Sequence, residues 1–374
     1  MQTKTPFRKT TEIFAAGAKS LPQRYFTSPE VFVAEREEIF CAQWILVGHQ
    51  SEIANAGDYF LAEVAGENLI VIRPPSSDYG AAGDKAAIRA FYNVCRHRGS
   101  RLCEKASGQA RAIQCPYHAW TYSLDGKLIG APEMAANFDK SDYSLHPVKL
   151  EIWEGFLFVN LANKSTSLEK VFAPLNGKFS DLSILRSAKR IEYDVQANWK
   201  LICENYSECY HCAGVHPELS RLSPSDSAKN DLCEGPFLGG FMTINKGRSL
   251  TKSGNSCALS IDNTKPDRVF YYSIFPNMLL SLHPDYVMVH QLWPQSPNQT
   301  LIKCDWLFHP DALDRSDFNP NDAIEFWDMV NRQDWHVCEL SQQGISSRAY
   351  RPGPYSPRER IPAAWDREYL RHVR

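Results

Sequence analysis

The apolar residues of the first half of the chain fall into short, strand-like runs separated by turn-forming residues. Such runs at close spacing predict a small antiparallel β domain. Within the stretch Trp120–Leu128, the dipeptide Asp125-Gly126 predicts a tight hairpin turn. The runs are Trp44–Gly48, Asp58–Val64, Asn68–Arg73, Ala87–Tyr92 and Gly155–Asn160.

In the second half of the chain, the predicted strands are followed by a long predicted helix. A strand-like segment, Arg190–Val195, is followed much later by further segments rich in β-branched and aromatic residues, which predict consecutive antiparallel strands. A long helix is predicted from Asn321 to about Gly344, with Asn-Asp as its N-terminal cap and glycine at its end. After Arg351, repeated prolines predict an extended surface tail. The later strand segments are Arg268–Ile274, Asn277–Leu282, Tyr286–Trp293 and Thr300–Phe308.

These patterns divide the chain. A chain of 374 residues is longer than a domain with a single hydrophobic core usually is, so we expect two domains. We predict an N-terminal arm with a helical segment over residues 1–43, an antiparallel β domain over residues 44–162 and a second domain over residues 163–374. The predicted fold class is α+β.

Composition excludes several classes of partner. Lys and Arg number 41 and Asp and Glu number 43, so the net charge of −2 gives no general attraction to nucleic acid or anionic lipid. The chain has no run of about 18 apolar residues and begins without the apolar core of a secretion signal. We therefore expect a cytoplasmic protein without a membrane partner. The eleven cysteines are an odd number, which favours reduced thiols and metal ligation over disulfides.

The first domain carries two Cys-His pairs, Cys95-Arg96-His97 and Cys115-Pro116-Tyr117-His118. Two thiolates and two imidazoles are the ligand set of a Rieske [2Fe–2S] cluster. Zinc accepts the same ligands, and a zinc site is the alternative. Zinc fingers group Cys with Cys and His with His, whereas each loop here carries one of each. This grouping favours the cluster.

The segment Glu204–Pro217 concentrates two histidines with two acids. By itself it is compatible with a metal site, a general-base arrangement or a polar helix end. If a helix runs through it, Glu208 and His211 lie three residues apart on one face. In a regular helix His216 would lie about 140° around the axis from His211 and could not share its face. The chain must therefore leave the helix before His216 if both histidines are to act together.

An electron-carrying cluster needs an electron acceptor, and this requirement favours a second metal. His211 and His216 can be two corners of a 2-His-1-carboxylate triad on non-haem iron(II). The third corner must come from elsewhere, and the predicted long helix offers several acids. They are Asp322, Glu325, Asp328, Asp334 and Glu339.

Together these motifs resemble the α subunit of the Rieske non-haem iron oxygenases over nearly the whole chain. The resemblance implies a Rieske domain followed by a catalytic domain of helix-grip (START-like) type, in which an antiparallel sheet wraps over a long C-terminal helix. It also implies a [2Fe–2S] Rieske cluster and a mononuclear Fe(II). The residues that carry it are the two Cys-His pairs, Asn198-Trp199-Lys200, Glu204-Asn205-Tyr206, His211 and His216-Pro217.

Within the family, residues 93–103, 208–212 and 343–355 look most like the quaternary-ammonium branch, which includes the glycine betaine and carnitine monooxygenases. By that likeness the third iron ligand is Asp334. Glu208 is implied to link His118 of one subunit to His211 of its neighbour.

The resemblance further implies an oxygenase component that uses O2 and a separate NAD(P)H-dependent reductase and assembles as a homotrimer. Its implied reaction hydroxylates an N-methyl group of a small, glycine betaine-like quaternary ammonium compound, with release of formaldehyde. The alternatives are an aromatic ring-hydroxylating oxygenase or O-demethylase and, outside the oxygenases, a Rieske electron carrier.

A quaternary ammonium group binds the faces of aromatic rings by cation–π attraction. An arene substrate suits the same rings, so composition does not choose between the two. The candidate rings are Tyr206, Phe237, Phe241, Phe275, Tyr286 and Trp293.

Overall fold

The computed structural model describes residues 6–13, 17–75, 88–179, 181–261 and 267–373. The chain divides into two compact units, one of Phe40–Ala173 and one of Met1–Ile39 together with Pro174–Arg374. The N-terminal segment thus belongs to the same unit as the second domain. None of the described helices is both long enough and apolar enough to cross a membrane.

The strands and helices are numbered in chain order. The strands are β1 (Arg8–Lys9), β2 (Ile45–His49), β3 (Asp58–Val64), β4 (Glu67–Ile72), β5 (Arg89–Tyr92), β6 (Ser107–Gln109), β7 (Ile113–Gln114), β8 (Thr121–Tyr122), β9 (Leu128–Gly130), β10 (Pro147–Trp153), β11 (Phe156–Asn160), β12 (Arg186–Val195), β13 (Lys229–Leu232), β14 (Phe237–Thr243), β15 (Arg268–Ile274), β16 (Met278–Leu282), β17 (Val287–Ser296) and β18 (Gln299–Phe308). The helices are α1 (Arg24–Thr27), α2 (Pro29–Glu35), α3 (Leu168–Val171), α4 (Trp199–Tyr206), α5 (Cys212–Val215), α6 (Pro217–Leu222), α7 (Pro310–Leu313), α8 (Asn321–Ile345) and α9 (Arg360–His372).

The unit Phe40–Ala173 is built from antiparallel sheets, as predicted, although Ala87 of the fourth predicted strand lies outside the described residues. One sheet has the order β2-β11-β10-β5-β4-β3-β6 and a smaller one the order β7-β8-β9. The predicted hairpin turn forms, and Gly126 adopts a φ of 84° in it. A Cβ at that position would lie 2.5 Å from the Phe91 ring, so the turn also needs glycine for space.

The other unit contains an eight-stranded antiparallel sheet in the order β1-β13-β14-β15-β16-β17-β18-β12. Helix α8 lies against this sheet. Its Asn331 bonds to side chains of three strands, namely Tyr193 on β12, His290 on β17 and Cys304 on β18. The predicted helix-grip arrangement of sheet and long helix is confirmed.

The predicted range of α8, Asn321 to about Gly344, agrees with the observed helix, but the predicted capping residues are wrong. Pro320 occupies the N-cap position without a side-chain cap, and Gly344 lies inside the helix, which continues to Ile345. Proline at a helix start is favourable because its φ is already near the helical value. Asp322 lies in the first turn, where an acid complements the helix dipole, and its carboxylate accepts hydrogen bonds from Ser253.

The prediction of an extended tail after Arg351 is wrong for residues 360–372, which form α9, whereas residues 351–359 contain no helix. Pro362 sits in its first turn, where a missing N–H costs nothing. Ile361, Trp365 and Tyr369 recur every four residues and are buried, which makes a continuous apolar stripe. The prolines that suggested a tail therefore coexist with an amphipathic helix.

A buried ion pair holds α4, the helix that leads into the segment Glu204–Pro217. Lys200 is 0% exposed and pairs with Glu35 of α2, which is 1% exposed. The Glu35 carboxylate also accepts hydrogen bonds from Trp199 Nε1 at 3.0 Å and from the Tyr369 hydroxyl at 2.7 Å. Burial lowers the pKa of Lys200, and the Glu35 carboxylate opposes that shift. Helices α2, α4 and α9 are thereby fixed to one another.

Replacing Lys200 by methionine should lower the free energy of unfolding by about 3–5 kcal/mol, because it leaves the Glu35 carboxylate buried and unpaired. Urea unfolding measures the change. The matched control is Lys252→Met, which breaks the ion pair with Glu325 in which both side chains are more than half exposed. That control should cost less than about 1 kcal/mol. Equal losses in the two variants would contradict the assignment.

Candidate metal centres and cavity

Three side chains of the larger unit converge on one point. The ligand atoms of His211, His216 and Asp334 all lie within 4.8 Å of one another. One oxygen, Asp334 Oδ1, lies 2.8 Å from His216 Nε2 and 3.2 Å from His211 Nε2. Two imidazole nitrogens and one carboxylate oxygen are the donor set of a facial triad, which iron(II) accepts with positions left open.

The local path of the chain differs from the predicted helix. Helix α4 ends at Tyr206, so Glu208 and His211 lie in an irregular segment. Glu208 Oε2 accepts the backbone N–H groups of Tyr210 and His211, and such side-chain bonds compete with helix formation. The chain therefore leaves the helix before His216, as expected, and it does so already at Tyr206.

Each histidine is oriented by a partner on its Nδ1. His211 Nδ1 lies 2.5 Å from Glu208 Oε1, and His216 Nδ1 lies 2.7 Å from Gln333 Oε1. When Nδ1 donates to these oxygens, each Nε2 presents its lone pair to the point that Asp334 faces. Gln333 was not predicted, although it directly precedes Asp334 in α8.

The electrostatics of the three residues favour a bound cation. Burial disfavours the charged ring of His211, but hydrogen bonds to Asp334 and Glu208 outweigh it and raise its pKa to about 10. Burial likewise opposes ionisation of Asp334, yet the two imidazoles lower its pKa. The site formed by these side chains therefore favours an ionised Asp334 carboxylate with a positive charge beside it.

The other candidate acids of α8 have partners elsewhere. Glu339 accepts a hydrogen bond from the Gln196 backbone, Asp328 accepts one from the Tyr193 hydroxyl, and Glu325 pairs with Lys252. Asp322 accepts from Ser253. Among the described acids of α8, Asp334 is the one brought to the two histidines.

The prediction of reduced thiols is wrong for one pair. Cys209 and Cys212 form a disulfide with their Cα atoms 4.9 Å apart. The irregular segment after α4 brings the two Cα atoms into the range that a disulfide spans. His211 lies inside the loop that this bond closes.

The four predicted cluster residues lie on two loops of the smaller unit. Cys95 and Cys115 are each 3% exposed, whereas the rings of His97 and His118 lie nearer the surface, 4.7 Å apart. Burial raises the pKa of the Cys115 thiol, but hydrogen bonds from the backbone of Tyr117 and His118 and from Cys95 outweigh it and lower the pKa. The two cysteine sulfurs are therefore neighbours, and so are the two histidine rings.

This pairing fits two irons better than one zinc ion. In a Rieske cluster, both sulfurs bind one iron and both nitrogens bind the other. A single tetrahedral ion needs all four donors around one point. In the described part of the chain, the compact group of donors suited to a single ion is His211, His216 and Asp334.

Two aromatic residues that the sequence did not single out support these loops. The Tyr122 hydroxyl lies 3.4 Å from Cys95 Sγ and accepts the backbone N–H of Arg96 at 3.0 Å, so its own hydrogen is available to the sulfur. Trp120 stacks on the His97 ring at a centroid distance of 4.7 Å. Both residues follow His118 closely, with Tyr122 on β8, the first strand of the predicted hairpin, and Trp120 directly before that strand.

A cavity of about 450 Å³ lies over His211, His216 and Asp334. Of the predicted substrate-binding rings, Tyr206 and Phe241 line it. Further rings of the wall were missed, although helical spacing offered a signal, because Trp327, Asn331 and Trp335 recur every four residues of α8 beside Asp334. The missed lining residues include Tyr271, Trp327, Trp335 and His290.

Four predicted substrate-binding rings lie outside the described cavity wall, because they pack elsewhere. Phe275 packs against Trp365 and His372 of α9. The Tyr286 hydroxyl bonds to the Leu250 carbonyl and to Trp327 Nε1. Phe237 is a buried residue on β14, and Trp293 lies on β17 with the Lys303 ammonium over its ring.

Comparison with known proteins assigns a protein family to each of the two units. Residues 43–152 match the family described as Rieske [2Fe-2S] domain, and residues 182–374 match the ring hydroxylating alpha subunit (catalytic domain). The chain is 34% identical to the glycine betaine monooxygenase oxygenase subunit of Chromohalobacter salexigens, covering 91% of this chain and 82% of that protein. It is also 34% identical to the carnitine monooxygenase oxygenase subunit of Acinetobacter baumannii, with 92% and 90% covered.

A solved structure agrees with these relatives. It is a quaternary ammonium Rieske monooxygenase studied for carnitine oxidation by gut microbiota and for inter-subunit electron transfer. The two chains superpose with a TM-score of 0.79 at 29% identity, over 95% of this chain and 96% of the other. Oxygenases of this kind carry a Rieske cluster and a mononuclear iron and typically depend on a separate reductase. The chain belongs to the Rieske non-haem iron oxygenases, as an α subunit with both a Rieske domain and a catalytic domain.

Proposed function

We propose that this protein is the terminal oxygenase of a monooxygenase that hydroxylates an N-methyl group of a small, glycine betaine-like quaternary ammonium compound. The observation that carries the proposal is the aromatic cavity directly over His211, His216 and Asp334. The names of the relatives support the same class of substrate for those proteins.

The proposed reaction balances with O2 and two electrons from NAD(P)H, delivered by a reductase. A methyl C–H bond is replaced by C–OH, and the second oxygen atom leaves as water with two protons. The resulting N-hydroxymethyl group then loses formaldehyde and a proton. The tertiary amine remains as the second product.

In this proposal Cys95, His97, Cys115 and His118 hold the Rieske cluster, and His211, His216 and Asp334 hold the iron. When bound, the cluster supplies single electrons and the iron supplies a site for O2. The donor sets on both loops and at the triad fit these groups. The chain's own contribution at the triad is orientation, because Glu208 and Gln333 fix the two imidazole rings.

The cavity suits a zwitterion with a cationic head. Tyr206, Tyr271 and Trp327 offer ring faces to a trimethylammonium group, each worth roughly 0.5–2 kcal/mol. Lys9 and Arg358 also line the cavity and offer positive charge to a substrate carboxylate. An uncharged arene would use the rings and leave these two charges without a partner on the ligand.

We further propose that Glu208 serves electron transfer between subunits. Its carboxylate holds His211, and in a closed homotrimer it would reach His118 of the partner subunit. A carboxylate that accepts N–H from both rings orients each of them and shortens the electron path. Head-to-tail contacts that close into a ring are the usual geometry for such an assembly.

Replacing Asp334 or His216 by alanine should remove the mononuclear iron and abolish product formation, because two ligands do not hold iron(II) firmly. The visible and EPR spectra of the Rieske cluster should persist. Iron analysis and spectroscopy on the purified variants measure both. Glu339→Gln, on the same helix, is the control and should keep both centres. An Asp334→Ala protein with full iron content and activity would refute this ligand assignment.

Replacing Glu208 by glutamine should lower product formation by about 10- to 100-fold, while the reductase still reduces the cluster at the normal rate. Stopped-flow absorbance of the cluster and product assays separate the two steps. Glu218→Gln changes an exposed acid on α6 and should alter neither. A Glu208→Gln enzyme with normal turnover would argue against the relay.

Incubation of the enzyme with a reductase, NADH, O2 and glycine betaine or a longer betaine should give formaldehyde and the demethylated amine in equal amounts. Mass spectrometry and a formaldehyde assay measure both products. Hydroxylated arenes formed from an aromatic panel, without formaldehyde from any betaine, would establish the arene alternative instead. Electron uptake without product from either panel would indicate an electron carrier.

A further inference from the structure

Two aromatic residues lead from the cavity to the surface of the larger unit. Trp335 directly follows Asp334 in α8 and lines the cavity over the triad. Its ring centroid lies 6.0 Å from that of Tyr193 on β12, in an edge-to-face arrangement. The Tyr193 hydroxyl lies 2.8 Å from Asp328 Oδ1, and the Asp328 side chain is 27% exposed. The two rings and this carboxylate thus connect the cavity with solvent.

The carboxylate of Asp328 is placed to take the phenolic proton of Tyr193. Its other oxygen, Oδ2, forms an ion pair with Arg332 Nε at 3.0 Å, so the group that faces the phenol is an ionised carboxylate. Such a group only accepts hydrogen bonds, so the Tyr193 hydroxyl is the donor. Burial raises the pKa of Tyr193 above its usual range, so the phenol keeps its proton at neutral pH.

The arginine beside Tyr193 couples the loss of an electron to the loss of that proton. The Arg332 guanidinium carbon lies 5.5 Å from the centre of the Tyr193 ring. A cation over a ring face is attracted by the neutral ring and repelled by a positively charged one. Tyr193 can therefore give up an electron only together with its proton, which passes along the hydrogen bond to Asp328.

This combination distinguishes Tyr193 from other tyrosines described in the same unit. Three further tyrosine hydroxyls donate to carboxylates, but each of those acids is at most 5% exposed, and none of the three tyrosines belongs to the described cavity wall. Tyr206 lines the cavity, yet its hydroxyl bonds to the neutral hydroxyl of Ser281. Among the described tyrosine–carboxylate pairs, that of Tyr193 joins a ring of the cavity wall to an acid that solvent reaches. The other three pairs are Tyr272 with Asp231, Tyr355 with Asp366 and Tyr369 with Glu35.

An oxygenase forms a strong oxidant from O2, and this oxidant attacks the cavity wall when no substrate C–H bond is within reach. We propose that Trp335 and Tyr193 form an escape path through which oxidising equivalents left at the triad pass to the surface, where a thiol reduces them. This inference rests on the iron site of the proposed function but on no particular substrate.

Each passage along the path moves one electron and one proton. Trp335 gives an electron to the oxidant, and Tyr193 then gives an electron to Trp335 and its phenolic proton to Asp328. A neutral tyrosyl radical remains, which a thiol from solvent reduces while Asp328 returns the proton. With hydrogen peroxide as the oxidant, two passages and two protons from solvent give two molecules of water. Two thiols lose two electrons and two protons and become one disulfide.

The test mixes the holoenzyme, with its cluster oxidised, with hydrogen peroxide in the absence of substrate. Freeze-quench EPR should detect a tyrosyl radical in the wild-type enzyme, and added glutathione should shorten its lifetime. Tyr193→Phe and Trp335→Phe should each lose the signal, because either change interrupts the path. Asp328→Asn should weaken it, because the amide does not take the proton. Peptide mass spectrometry should find more oxygen addition to Trp335 in Tyr193→Phe than in the wild-type enzyme.

A matched variant controls for altered packing. Tyr272→Phe also removes a hydroxyl that donates to an acid, but Tyr272 is outside the described cavity wall and its acid is buried, so the radical signal should be unchanged. A Tyr193 that only packs the sheet against α8 would leave the signal unchanged as well. The absence of a tyrosyl radical from the wild-type enzyme, or an equally strong radical in Tyr193→Phe, would overturn the proposal.

Two measurements on the same samples separate this proposal from the function on which it rests. Asp334→Ala, which should lack the mononuclear iron, should give no radical, and a persistent signal there would show that the oxidant does not arise at the triad. A radical that depends on Tyr193 and Asp334, without formaldehyde from any betaine, would support the escape path and refute the demethylation. Formaldehyde from a betaine together with a signal that ignores Tyr193 would refute the escape path alone.

Discussion

One carboxylate oxygen connects the parts of the catalytic unit. Asp334 Oδ1 contacts both His211 and His216, so α8 must lie against the irregular segment that follows α4. The same helix is also held to the sheet, because Asn331 bonds to residues of strands β12, β17 and β18. Because a helix is rigid over these few residues, the contacts of Asp334 and Asn331 together fix the distance between the three candidate iron ligands and the sheet. The cavity is the space that remains between them, and its wall follows from the same helix face through Trp327 and Trp335.

The buried pair of Lys200 and Glu35 secures the other side of this arrangement. Two charges removed from water are tolerated only when the remaining polar atoms are satisfied, and here Trp199 and Tyr369 supply two further hydrogen bonds to the carboxylate. Helix α4 therefore ends at a defined place, and the segment with Glu208 and His211 starts from a fixed position. Such rigidity matters because the two histidines must present their Nε2 atoms to one point, which small shifts of the backbone would prevent.

Local patterns were sufficient for the elements and for most of the candidate ligands. Strand alternation, the Asp125-Gly126 turn and the long helix are properties of neighbouring residues, and the Cys-His pairs are visible as spacing. The errors have physical causes of two kinds. The prolines after Arg351 predict an extended tail, yet Pro362 stands in the first turn of α9, where proline is compatible. The contacts of Gln333, Tyr122 and His290 join residues far apart in sequence, as with the 41 positions between His290 and Asn331, and no local pattern reports them.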